Sequence, residues 1–218
     1  MCAAIPLFAA KGYDALTTKE IADAAGVSEA LLYRHFDSKQ VLYDEIQASC
    51  IARAATDARR LEELPDSTST LILATYMLAD KIQRRSDEPH PERNEMCRLL
   101  LRSLLDDGRF AAGFMAETSA PWVSKVERCV QAAIAAGDLE ETVEGGCMGV
   151  WFVHHLSVAI NIFSLPADIK IVPYPVDDGD VFDHSVRFCL RGMGLTAKAI
   201  ARHYNPKAFA LMRSPRTA

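Results

Sequence analysis

Residues 17–36, TTKEIADAAGVSEALLYRHF, constrain the fold more than any other stretch of the chain. Thr17-Thr18-Lys19-Glu20 has the spacing of a capping box, in which the Thr17 hydroxyl accepts from the Glu20 amide and the Glu20 carboxylate reaches back. Gly26 stands where a helix end calls for a left-handed residue. Ser28 is then a ready N-cap for a second helix. Two short helices joined by Ala25-Gly26-Val27 make a helix-turn-helix unit. Ile21, Ala22 and Ala25 share one face of the first helix, and the small Ala22 and Ala25 predict a close approach of the two. Val27, Leu32 and Phe36 suit the inward side. Ser28, Glu29, Ala30, Tyr33, Arg34 and His35 are left facing outward.

The rest of the 218 residues reads as helix too. Apolar residues recur at helical spacing, and no convincing alternating strand is found. The spacing predicts helices over 1–12, 18–25, 28–35, 38–64, 69–86, 91–107, 121–136, 143–164, 179–193 and 196–204. Asp37-Ser38 caps the fourth helix, and Pro65-Asp66-Ser67 ends it. The expected fold is all-α: a three-helix N-terminal head over 1–47, joined to a larger helical body over 48–218. The fourth helix crosses that boundary without a linker.

Composition excludes several function classes. Half of the chain is hydrophobic, enough for a sizeable core. The net charge is -5, which argues against a broadly basic nucleic-acid coat or a polybasic membrane anchor, though not against a small local reading surface. The six cysteines, at 2, 50, 97, 129, 147 and 189, form no CxxC pair and read as buried thiols of a cytoplasmic protein. The longest apolar run, Cys147 to Phe163, contains His154, His155, Ser157 and Asn161 and falls short of the roughly 20 residues of a membrane span. It reads as a buried helix, with no membrane partner. No Ser or Cys has an activating context. Gly145-Gly146-Cys147-Met148-Gly149 follows no strand, so a phosphate-cradling loop is unsupported, and the expectation is a non-enzyme. No cofactor or metal is expected: His154 and His155 are adjacent, point about 100° apart on a helix, and cannot share one ion.

A set of residues in order carries a resemblance: Leu7-Phe8, Lys11-Gly12-Tyr13, Thr18, Ile21-Ala22, Ala25-Gly26-Val27-Ser28, Leu32-Tyr33, His35-Phe36, Lys39 and Leu42. With these the chain resembles the tetracycline-repressor (TetR/AcrR) family of transcriptional regulators over roughly its first 45 residues. The resemblance implies a homodimer with a DNA-binding head and a divergent ligand-binding body. Position by position, it implies phosphate contacts for Thr18, Tyr33, His35 and Lys39. Ser28, Glu29, Ala30 and Arg34 are candidates near base edges, where Arg34 can donate to guanine, Glu29 can accept from cytosine and Ala30 can touch a thymine methyl.

Two departures from the family pattern stand out. The chain begins inside the family's first helix, with Pro6 at an interior position, which leaves either a start upstream of Met1 or a short first helix. The head is also acidic. Residues 1–50 hold Lys11, Lys19, Arg34 and Lys39 against seven carboxylates, a net charge of -3. Few cations predict a shallow salt dependence and modest non-specific affinity, so that tight binding needs a dimer on both half-sites.

In the body, Met148, Trp151, Phe152, Leu156, Ile160 and Phe163 cover more than one face of their helix. Phe182, Val186, Cys189 and Met193 form a stripe on the next. The resemblance implies a homodimer through 143–164 and 179–193, reading a palindromic double-stranded operator. It also implies a small-molecule site lined by Met96, Leu100, Phe110, Phe114, Trp122, Trp151 and His155, suited to an apolar or aromatic effector. The function expected is a ligand-responsive DNA-binding regulator, a repressor released by its effector. The alternative is a dimeric helical small-molecule-binding protein whose head has weak or lost DNA binding.

Overall fold

The computed structural model describes residues 1–83, 91–140, 146–166 and 168–211. Within them the chain forms eleven helices: α1 (Ala4–Lys11), α2 (Thr18–Ala25), α3 (Glu29–His35), α4 (Lys39–Glu62), α5 (Thr68–Gln83), α6 (Pro91–Leu105), α7 (Arg109–Ala135), α8 (Gly146–Phe163), α9 (Asp178–Gly192), α10 (Ala197–His203) and α11 (Pro206–Leu211). The only pairing of strand type among these residues is one antiparallel bridge, Leu139 with Leu195. The protein is therefore all-α. The expected helix ends at 84–86 and 143–145 lie outside the described residues.

Two expectations for helix limits need correction. The helix expected to start at Pro121 instead runs from Arg109 to Ala135 with Pro121 in its interior. Proline fits a first turn best, which is why the sequence suggested a start there. In the interior it forfeits one backbone hydrogen bond. A further short helix, α11, forms beyond 196–204, the last helix that the spacing predicts. Asn205 accepts from the Ala208 amide at 3.1 Å and Pro206 supplies the first helical position.

The chain gathers into two compact units. The first is Met1–Asp57 with Ser86–Ala120, and the second is Ala58–Arg85 with Pro121–Ala218. The core of the first holds Ala4, Phe8, Ile21, Ala22, Leu32, Leu42 and Ile46 from the N-terminal helices and Leu16 from the loop before α2, together with Leu99 of α6 and Phe110 of α7. Each large apolar side chain so buried contributes about 1.5–3 kcal/mol. Gly12 ends α1 at φ +78 and ψ 171, and its amide donates to the Phe8 carbonyl at 2.9 Å. The Asp106 carboxylate and Arg102 guanidinium lie where a side chain at Gly12 would sit.

The core of the second unit is built from α5, the later half of α7, α8, α9 and α10. Val150, Val153, Ser157 and Asn161 of α8 are buried, at the spacing of one helix face. From α9, Phe182, Val186, Cys189 and Met193 enter this same core. The stripe assigned to a partner surface on α9 is thus spent inside the chain. Buried polar groups are matched across helices: Gln83 donates to Ser157 at 2.9 Å and accepts from Ser185 at 3.1 Å. Lys125, with a side chain 3% exposed, donates to the Leu64 carbonyl at 2.5 Å and to Asp66 at 2.6 Å. Asp66 also accepts from Arg128, which forks onto Glu62.

Candidate nucleic-acid interface

The start of α2 is set by local chemistry. Thr17 accepts from the Glu20 amide at 3.3 Å, and the Glu20 carboxylate accepts from the Thr17 amide at 2.9 Å, a complete capping box. Lys11 of α1 pairs with Glu20 at 2.5 Å. The Lys11 hydrogen bond, aided by those from Thr17, holds the Glu20 carboxyl down at about 2. The helix closes on Gly26, in the left-handed region at φ +68, and the turn returns through Val27, whose amide donates to the Ala22 carbonyl at 3.0 Å.

Ser28 accepts from the Leu31 amide at 3.1 Å and opens α3. Leu32 is buried, and Val27 and Phe36 pack half-buried against the same core. Of the small residues expected between α2 and α3, Ala22 is buried but Ala25 is exposed. Its position one turn from Ile21 put it on the inner face, but it ends the helix at the open side of the turn.

The outward face of α3 carries Ser28, Glu29, Ala30, Tyr33, Arg34 and His35, all exposed, with Tyr33 at 46%. Thr18, the first residue of α2, lies beside it. Its hydroxyl donates to the Glu29 carboxylate, and the Tyr33 hydroxyl donates to Thr18 Oγ1 at 3.3 Å. The structure therefore brings Thr18, Glu29 and Tyr33 into one hydrogen-bonded chain. A polar helix face of this size, open to solvent and one turn long at its reading end, has the dimensions a major groove admits.

Lys39 is placed differently. It is the first residue of α4, behind the Ser38 cap, which accepts from the Val41 amide at 3.1 Å. Its ammonium donates to the Tyr13 carbonyl at 2.7 Å and the Leu16 carbonyl at 2.8 Å, and stands 4.4 Å from the centre of the Tyr13 ring. Two of its three donors thus tie the loop after α1 to the start of α4, and one is left for an outside acceptor. Sequence reasoning missed this clamp, because it depends on how the loop over 12–17 turns.

The residues expected to line an effector site divide between the two cores. Phe110 is 1% exposed within the first core, with Met96, Leu100 and Phe114 packed against it. Trp122 belongs to the second core, with Trp151 against it. His155 is exposed and stacks on Trp151, ring centres 6.2 Å apart. Its neighbour His154 turns inward. Burial, aided by the charge of His155, pushes the His154 ring down to about 4.

The two long helices near the C-terminal end present an exposed apolar strip. Met148, Phe152 and Phe163 of α8 are 47%, 63% and 49% exposed, and Phe188 of α9 is 70% exposed. Residues 148, 152, 155, 159 and 163 are all exposed and recur at three- and four-residue steps, so they follow one line along α8. No helix of the described residues is long and apolar enough to cross a membrane.

Comparison with known proteins places these features. Residues 1–46 match the profile of the bacterial regulatory proteins of the tetR family. Over 43 residues the chain is 54% identical to the HTH-type transcriptional repressor KstR2 of Rhodococcus jostii (strain RHA1), covering 20% of this chain and 21% of KstR2. The match thus spans about a fifth of the length of that curated relative. Two solved structures extend the likeness to the body. A tetR-family regulatory protein from Rhodococcus RHA1 aligns with a TM-score of 0.61 at 22% identity, over 89% of this chain and 95% of its own. AibR, solved in complex with isovaleryl coenzyme A and operator DNA, aligns with a TM-score of 0.62 at 19% identity, over 85% and 93%. At such identities the likeness is one of fold.

Proposed function

We propose that this chain, a member of the bacterial tetR family of regulatory proteins, is a ligand-responsive DNA-binding repressor. The observation that carries the reading is the helix-turn-helix head. Its cap, left-handed Gly26 and buried Leu32 fix α3 so that Ser28, Glu29, Ala30, Tyr33, Arg34 and His35 stay open to solvent. The family match covers this head. Ser28, Ala30 and Arg34 approach base edges with Glu29 beside them, while Tyr33, His35 and the remaining donor of Lys39 meet phosphates, next to Thr18. The proteins the chain resembles are transcriptional regulators, and the reading includes no catalytic step and a cytoplasmic location.

The working form is a homodimer through α8 and α9. The exposed line of Met148, Phe152 and Phe163, with Phe188, supports this, because large apolar groups recurring along one helix face mark an interaction surface. Two-fold symmetry sets two copies of α3 against two half-sites about 34–36 Å apart, so the operator is palindromic. The acidic head makes the second half-site necessary for tight binding.

An apolar or aromatic small molecule serves as effector, held within one unit, either by residues among Met96, Leu100, Phe110 and Phe114 or by residues among Trp122, Trp151 and His155. AibR, which shares the fold, has been solved with an acyl thioester of coenzyme A and with DNA, which supports a small organic ligand acting on the same architecture. The effector lowers DNA affinity by preferring a head spacing that the operator does not fit. Moving a population from 1:99 to 99:1 takes about 5.5 kcal/mol of differential binding. The long α4 is the lever, since it supplies residues to both compact units.

The test is gel retardation with the DNA upstream of the chain's own coding sequence, followed by release with a panel of apolar and aromatic small molecules. Specific retardation by the dimer and its loss with one compound are expected. A correct dimer that retards no sequence at low salt would favour the alternative, a small-molecule-binding protein whose head does not grip DNA. The net charge of -3 over residues 1–50 is the observation on that side.

A further inference from the structure

The carboxylate of Glu29 has a use within the head that its position on the reading helix does not suggest. It sits in the first turn of α3, one helical turn before Tyr33. The Thr18 hydroxyl, from the first residue of α2, donates to it, and the Tyr33 hydroxyl donates to Thr18 Oγ1 at 3.3 Å. The direction of this relay is forced. An ionised carboxylate only accepts, so Thr18 must spend its single proton on Glu29 and can only accept from Tyr33. The charged end is the strong link and the Tyr33 end, at 3.3 Å, the weak one.

We propose that Glu29 is a positioning residue for Thr18 and Tyr33 on the reading face rather than a reader of a base. This rests on the DNA-binding reading above and refines it. With Thr18 anchored, its oxygen fixes where the Tyr33 hydroxyl waits. Tyr33 can then give up its long hydrogen bond for a phosphate oxygen without losing its ring position. Glu29 itself stays bonded back to α2. A carboxylate in an otherwise cation-poor face also repels phosphate, and tying it to a hydroxyl blunts that cost at the correct register. The head therefore keeps an acid on its DNA side because, through Thr18, it orders the Tyr33 donor.

The relay makes two residues act as a unit, which a double-mutant cycle detects. Wild-type protein first selects its operator from random duplexes. Glu29→Ala, Glu29→Gln, Thr18→Val and the Glu29→Ala/Thr18→Val pair are then titrated against that duplex and a scrambled one by fluorescence anisotropy. Glu29→Ala weakens operator binding about tenfold, the scale of one charge-assisted hydrogen bond. The base preferences of the Glu29→Ala protein stay those of wild type at every position. Glu29→Gln keeps an acceptor for Thr18 and restores binding to the wild-type level or better. The double variant binds no worse than Thr18→Val alone. The proposal is overturned if Glu29→Ala flattens the preference at one base pair, if Glu29→Gln fails to rescue, if the two single losses multiply, or if Glu29→Ala changes nothing. Thermal melting of each variant reports folding, and the exposure of Glu29 predicts unchanged midpoints. If the wild type selects no duplex at all, the DNA-binding reading falls first and takes this proposal with it.

Discussion

The Asp66 carboxylate lies 2.6 Å from the ammonium of Lys125, a charge buried to 3% exposure where α7 passes the junction of α4 and α5. Lys125 also bonds to the Leu64 carbonyl, and this hydrogen-bonded lysine holds the Asp66 carboxyl below its ordinary value. Removing the carboxylate leaves a buried cation with a backbone carbonyl alone. Asp66→Ala should therefore destabilise the protein, because it strands the buried Lys125 ammonium beside a single carbonyl. Urea unfolding followed by circular dichroism measures this as a lower midpoint with an unchanged slope.

Gly12 occupies a backbone region that side chains rarely adopt, at φ +78 and ψ 171, against the Asp106 and Arg102 side chains. Gly12→Ala should cost about 2 kcal/mol from backbone strain, with further loss from displacing the Arg102–Asp106 pair. Ala9→Gly in the preceding helix serves as a comparison, with an expected loss of about 1 kcal/mol. Equal melting temperatures for Gly12→Ala and wild type would contradict this account.

His154 titrates at about 4 in the folded chain against an ordinary value of 6.5. The unfolded chain therefore binds a proton in this window that the native chain does not, and stability falls as pH drops from 6.5 towards 4. His154→Phe should remove that part of the pH dependence and leave stability at pH 8 little changed. Unfolding midpoints of both proteins at pH 8, 6 and 4.5 make the comparison. Parallel curves would show that His154 is not responsible.

Phe152 and Phe188 are 63% and 70% exposed on α8 and α9. Placing a charge at each, as Phe152→Asp with Phe188→Asp, should convert a dimer of the 24.0 kDa chain into a folded monomer with helicity intact. Sedimentation equilibrium gives the masses. A double variant that keeps the wild-type mass would move the dimer surface elsewhere.

Local chemistry made α2 legible from sequence: the Thr17 box and Gly26 fixed its limits before any packing was considered. The face of α3 was legible for the same reason. What escaped was non-local. Leu99 and Phe110 join the core of Phe8 and Leu42, and no spacing ties residues so far apart. Phe182, Val186, Cys189 and Met193 make a stripe that suits either a partner or the chain's own core, and only packing decides between them. Pro121 reads as a helix start because first-turn proline is common, whereas α7 carries it through. The Thr18–Glu29 hydrogen bond joins residues eleven apart across a turn, and neither residue alone signals it.

The most direct measurement of the central claim is the affinity of the full chain for an operator duplex it has itself selected, compared between wild type and an Arg34→Ala/Tyr33→Phe variant. Tyr33 and Arg34 are exposed on α3, so the variant should keep its helicity and melting temperature. The account predicts that wild type binds as one dimer per palindrome and that the variant loses at least about tenfold in affinity, with relaxed preference at the base pair met by Arg34. Binding of the variant with wild-type affinity and wild-type base preference would contradict it.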